Sequence, residues 1–122
     1  MKNKNNRGIP SSELKTFQLK YINHLKAKKK KDKKYIMDMI DIDQILEIFI
    51  SFLKKEKVYK AEEINNNILD KYFSYLIKAC FYDKEIYKTA TSLHLSYLNN
   101  FFDWLLKKKL IKKNPFDDYR NF

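Results

Sequence analysis

An all-α domain built as a four-helix bundle is the fold class this chain predicts, and three observations predict it. One Gly and two Pro among 122 residues leave too few turn formers for a β-sandwich. Apolar residues recur at three- and four-residue spacing in four separate stretches. The chain is 44% hydrophobic and 16% aromatic, enough for one core but not for several domains. Short connections between amphipathic helices imply a bundle, because each helix is too polar outside to be stable alone.

The elements follow in order. Residues 1–11 are polar and basic and read as a flexible basic arm. Ser11 or Ser12 can cap a first helix, whose apolar stripe is Leu14, Phe17, Tyr21, Ile22 and Leu25. The stripe is lost in a run of lysines, where like-charge repulsion should fray the helix. A second helix is expected to begin between Asp32 and Asp38 and to run to about Lys55. Its stripe is Met39, Ile42, Ile45, Leu46, Phe49, Phe52 and Leu53, and Asp38, Asp41 and Asp43 are placed near its start, where negative charge suits the helix dipole. Asn65 is the expected cap of a third helix that buries Leu69, Tyr72, Phe73 and Leu76. Phe81–Lys88 reads as a loop. Thr89, Thr91 and Ser92 are candidate caps of a fourth helix carrying Leu95, Leu98, Phe101, Phe102 and Leu105, with Trp104 at the stripe's edge. Asn114-Pro115 is expected to end it, since Pro disfavours helical geometry in the residue before it.

The net charge of +11 is unevenly spread. Residues 1–34 hold twelve Lys/Arg against Glu13 and Asp32, whereas residues 35–122 hold fourteen against thirteen Asp/Glu. The dense cluster Lys26–Lys34 attracts polyanions, chiefly nucleic acid or an anionic membrane surface. Its plainer reading is a solvated lysine-rich linker. No apolar run approaches the length of a membrane span, and no signal core follows the basic N-terminus. Cys80 is the only cysteine, so no internal disulfide forms, and a reducing cytoplasm is the default location. At the end of an apolar helix, Cys80 reads as a buried structural thiol.

Catalytic chemistry finds no support. His24 and His94 both lie on helices and read as packing or surface histidines. No His/Cys set has metal-ligand spacing, and one glycine cannot build a phosphate loop. Asp38, Asp41 and Asp43 cluster, but a solvated helix start explains them better than a divalent cation does. No cofactor and no metal are expected.

The fourth stretch, in the order Thr89 or Thr91, Leu95, Leu98, Phe101-Phe102, Trp104-Leu105, a basic run, Leu110-Ile111 and Asn114-Pro115, resembles the last long helix of the core-binding domain of tyrosine recombinases, the phage-integrase family. The second stretch is similar to that family's second helix through Met39, Ile42, Leu46, Phe49 and Phe52-Leu53, although Ile42 stands where the family often has Tyr. Glu62-Glu63-Ile64-Asn65 is similar to its step before the third helix. The resemblance implies a SAM-like bundle of two helical hairpins crossed at a steep angle, spanning residues 12–113, with 114–122 starting a linker to a catalytic domain. It also implies that the tyrosine nucleophile and its Arg, His and Lys partners belong to that other domain, so this chain is expected not to be an enzyme.

In such a domain the second and fourth helices approach the major groove of double-stranded DNA. The candidate contacts are Lys28, Lys29, Lys30, Lys31, Lys33 and Lys34 on the phosphate backbone. Gln44 is the candidate base reader of the second helix, whose outward face is otherwise acidic at Asp41 and Glu47. Lys88, Thr89, Ser92, Ser96 and Asn100 belong to a polar strip of the fourth helix that also holds Asn99, Asp103 and Lys107. The plainer reading of this strip is a solvent face. Twenty-four lysines against two arginines argue for salt-sensitive binding with little base discrimination, because lysine acts as a mobile point charge. The expected partners are duplex DNA and other recombinase protomers in a full-length protein, with no membrane and an isolated domain that is monomeric. The alternative function is a helical protein–protein module that does not bind DNA, with Phe116, Tyr119 and Phe122 as an aromatic docking tail.

Overall fold

The computed structural model describes residues 12–29, 33–79, 84–117 and 119, with the backbone alone at 29, 33–40, 79 and 84–90. Among them are four α-helices and no strand: α1 (Glu13–Lys29), α2 (Lys33–Lys55), α3 (Asn66–Ala79) and α4 (Lys84–Lys107), with a 3₁₀ turn at Ala61–Glu63 between α2 and α3. The all-α bundle read from the sequence is the fold observed. The arm at 1–11, the stretch 30–32 and Cys80 lie outside the described residues.

Local chemistry explains where α1 and α3 begin. Ser12 Oγ accepts the Lys15 N–H at 3.2 Å, and Asn65 Oδ1 accepts the Ile68 N–H at 2.9 Å. Each is a side-chain cap on an otherwise orphaned donor, worth about 1 kcal/mol. Both caps match the sequence expectation. α1 then buries Leu14, Phe17, Tyr21 and Ile22 against an antiparallel α2, which contributes Ile45, Leu46, Phe49, Ile50 and Leu53. Ile42 and Phe52 are half-buried at the edge of the core, while Ile50, absent from the expected stripe, is inside it.

Phe49 is the hub of the aromatic core. Its ring meets Tyr72 edge-on at 4.8 Å and Phe102 edge-on at 6.1 Å, so α2, α3 and α4 converge on one side chain. Edge-to-face pairs of this kind add roughly 0.5–1.5 kcal/mol beyond the area they bury. α4 contributes Leu98, Phe101, Phe102 and Leu105, all fully buried. Trp104 is half-buried, between Tyr21 and His24 of α1 at 5.2 Å from each ring.

Both long helices end without glycine. Lys57 after α2 and Lys109 after α4 have φ near +62°, in the left-handed region. Val58 N–H donates to Leu53 O at 2.8 Å and Leu110 N–H to Leu105 O at 2.9 Å, which are the closing bonds of Schellman motifs. A lysine in this conformation costs about 1–2 kcal/mol, since its Cβ crowds the following carbonyl.

Several expectations for helix ends need correction. α4 starts at Lys84, so residues 84–88 are helical rather than loop, and Thr89, Thr91 and Ser92 lie inside the helix rather than capping it. Its far end is set by the Schellman motif at Lys109, before Asn114-Pro115 is reached. α2 starts at Lys33, and no acidic residue lies in its first turn. Asp41 and Asp43 sit more than a turn further in, too far to feel the dipole strongly. Asp43 instead accepts from Gln18 Nε2 of α1 at 2.8 Å.

The segment after α4 folds back on the bundle. Asn114 is fully buried. Its Nδ2 donates to Asn99 Oδ1 at 2.9 Å, and its Oδ1 accepts the Phe116 N–H at 2.9 Å, closing an Asx turn. Phe116 packs between Phe49 and Phe102, and Tyr119 stacks on Phe73 at 5.8 Å while donating its hydroxyl to Asp70 at 2.8 Å. Phe116 and Tyr119 therefore occupy this chain's own core, which corrects the idea that they form a docking tail.

Candidate nucleic-acid interface

α4 presents two opposed faces. One is mainly apolar and fills the core, with Thr91 and His94 buried alongside Leu98, Phe101, Phe102 and Leu105. On the other, Ser92, Ser96 and Asn100 are exposed and spaced by one turn. Among the described residues no hydrogen bond or ion pair engages the side chains of Ser92, Ser96 or Asn100. Hydroxyl and amide groups of this kind suit phosphate oxygens and base edges alike.

The row has a neighbour that the sequence did not reveal. A groove of about 480 Å³ runs between Ser92, Ser96 and Asn99 on one side and Phe116, Asp117 and Tyr119 on the other. Asn114 binds Asn99, which lines the groove, and approaches Asp103 Oδ1 at 3.4 Å. Asn99 and Asp103, read from the sequence as part of the polar strip, are thus tied to Asn114. Nothing in the helical period of α4 alone shows that a buried asparagine eleven to fifteen residues away would hold them.

The other candidates are spread around the molecule. Lys28 is exposed in the last turn of α1, and Lys29 is the residue that ends it. Lys33 and Lys34 are the first two residues of α2. Lys88 and Thr89 lie in the first two turns of α4. The side chains of Lys29, Lys33, Lys34, Lys88 and Thr89 lie outside the described set, as do Lys30 and Lys31 entirely. Gln44 is exposed on α2, and among the described residues no hydrogen bond links it to the α4 row.

The acidic face of α2 proves to be partly structural. Lys15 of α1 forms an ion pair with Glu47, and Gln18 Nε2 also reaches Glu47 at 3.2 Å. The Lys15 ammonium beside Glu47 holds its carboxyl below the usual carboxylate range. Half-exposed pairs of this sort are worth well under about 1 kcal/mol. Their consequence is local: the Lys15 ammonium offsets the charge of Glu47 at the α1–α2 seam, where the neutral Gln18 amide also bonds Asp43.

The histidines take packing positions, as read from the sequence. His94 is buried, with Nδ1 at 2.6 Å from the Tyr72 hydroxyl. Burial pushes the His94 imidazolium pKa down and the Tyr72 phenol up, so both are neutral near pH 7. His24 lies against the Trp104 ring. Among the described residues no group of three His, Cys, Asp or Glu could hold a metal ion, and no helix is long and apolar enough to cross a membrane.

Fold and surface define a small all-α domain in which, among the described residues, the Ser92, Ser96 and Asn100 row of α4 is exposed and unbonded. Over 99 residues the chain is 33% identical to the tyrosine recombinase XerC of Leptospira interrogans serovar copenhageni strain Fiocruz L1-130, and equally to that of serovar Lai strain 56601. The match takes in 79% of this chain and 28% of each relative, so the chain spans well under a third of their length. This likeness supports a relationship to the tyrosine recombinase family. No family model matches the chain. No solved structure matches it either.

Proposed function

We propose that this chain is the core-binding part of a tyrosine-type site-specific recombinase, gripping duplex DNA beside the crossover site while a separate domain supplies catalysis. The observation that carries the reading is the α4 row. Ser92, Ser96 and Asn100 are exposed, aligned and free of partners among the described residues, on a helix whose other face is core. The similarity to XerC supports the same reading. Lys28 to Lys34 and Lys88 supply phosphate attraction, Gln44 and the α4 row supply polar contacts, and other recombinase protomers would be met by the full-length protein.

The test is fluorescence anisotropy with a labelled duplex at low salt. The triple change Ser92→Ala, Ser96→Ala, Asn100→Ala leaves thermal stability within about 0.5 kcal/mol per site, since surface changes without partners cost little. It should weaken DNA binding about tenfold, in keeping with three polar contacts worth about half a kcal/mol each. Wild-type affinity in the variant would remove α4 from the interface. No binding by either protein would favour the protein–protein module.

A further inference from the structure

We propose that Asp117 is a positioning residue for DNA: its carboxylate keeps phosphate off the tail side of the α4 row, so that the duplex backbone lies on the side of Lys107. This inference rests on the DNA-binding reading above and names what orients the duplex at that site.

The tail fixes Asp117 in place. Its N–H donates to Asn114 O at 3.0 Å, and Tyr119 N–H donates to Phe116 O at 3.2 Å. Phe116 and Tyr119, which flank it in the chain, are both buried. Asp117 itself is exposed, and among the described residues no hydrogen bond or ion pair engages its side chain. The neighbouring acids differ. Asp70 accepts the Tyr119 hydroxyl at 2.8 Å, and Asp103 Oδ1 lies 3.4 Å from Asn114 Nδ2. Folding uses those two carboxylates and leaves that of Asp117 unused.

Asp117 shares a groove with the row. Ser92 and Ser96 line the groove of about 480 Å³ together with Asp117, whereas Asn100 does not. B-DNA carries one charge per about 1.7 Å of its axis. A duplex resting on Ser92 and Ser96 therefore brings phosphates to the groove that Asp117 lines. Charges in 0.1 M salt act over about 10 Å, so this carboxylate is felt there.

The other side of the row has the opposite sign. Lys107 is exposed and lies seven residues beyond Asn100, on the same face of α4. Among the described residues no ion pair engages it. Asp103, bonded toward Asn114, adds its charge to the tail side, because a hydrogen bond from a neutral amide leaves a carboxylate ionised. The row thus runs between an acidic tail and a lysine. A polyanion is repelled on one side and attracted on the other.

The experiment is fluorescence anisotropy on the full chain with a generic labelled duplex, across a salt series. Asp117→Asn is expected to bind about two- to threefold tighter at low salt, the size of one repulsion acting through water over several ångströms. Asp117→Lys should bind up to about tenfold tighter and steepen the slope of log K against log salt by about 0.9, for one added phosphate contact. Lys107→Gln should weaken binding and flatten that slope by about 0.9. Glu62→Gln removes the same charge from a separate cleft, lined also by Lys60 and Lys112, and should raise affinity less than Asp117→Asn does. Unchanged thermal midpoints, expected for exposed side chains without partners, tie these affinities to the folded chain. Equal or weaker binding by Asp117→Asn, or an equal gain in Glu62→Gln, overturns the proposal and leaves the DNA reading in place. A loss confined to particular sequences would assign Asp117 to a base amino group, which equally refutes it. No binding by wild type or by Asp117→Lys at the lowest salt overturns the DNA reading itself.

Discussion

α2 and α4 are both long helices with a core face and a polar face, but their polar faces do different work. On α2, Asp43 and Glu47 reach across to Gln18 and Lys15 of α1 and help seat the first hairpin. On α4, Ser92, Ser96 and Asn100 reach nothing among the described residues, while Asn99 and Asp103 alongside them are held by Asn114. A polar helix face is thus no guide to function until its partners are known. Folding leaves the α4 row unused, as it does Gln44 and Ser51 of α2 among the described residues.

The largest effect expected from disturbing this arrangement is at Asn114. Asn114→Ala removes a fully buried amide that serves Asn99, Asp103 and the Phe116 N–H, and should cost about 2–3 kcal/mol by urea denaturation. A loss below about 1 kcal/mol would mean that the tail is not held in this way. The pH response of the α3–α4 seam is next. His94 has a depressed folded-state pKa, so the unfolded chain binds the proton more readily. Its contribution is therefore full above the unfolded value near 6.5 and declines as pH falls through that value toward the folded one. The thermal midpoint of wild type should fall between pH 7.5 and 5.5 more steeply than that of His94→Gln; equal slopes would contradict the buried-histidine account.

Smaller effects sharpen the helix ends and the seam. Lys57→Gly and Lys109→Gly should each stabilise the fold by about 0.5–1 kcal/mol, by relieving the left-handed lysine. Destabilisation by either would mean that the lysine stem contributes packing of its own. Glu47→Gln should change stability by less than about 1 kcal/mol, because its ion pair with Lys15 is half-exposed. A loss of several kcal/mol would show the α2 face to be a structural keystone rather than a seam.

Much of the fold was legible because burial leaves a periodic signature. Leu69, Tyr72, Phe73 and Leu76 repeat at helical spacing, and Asn65 stands where a cap must be. The ends of α4 were not legible, for two physical reasons. Thr89, Thr91 and Ser92 favour caps, but a well-packed helix also carries such residues in its interior. Lys109 takes the left-handed position that glycine usually marks, so the sequence gives no stop signal there. The α4 row could be found from the helical period, since Ser92, Ser96 and Asn100 are one turn apart. The bonds of Asn114 to Asn99 and Asp103, and the meeting of Lys60 with Lys112 in one cleft, depend on chain segments meeting in space.

The most direct measurement of the central claim is the salt dependence of binding to a generic labelled duplex. If about five lysines contact phosphates, log K should fall against log salt with a slope near −4 to −5. Binding of that slope is the result this account predicts. A slope near zero, or no binding at the lowest salt, would contradict it.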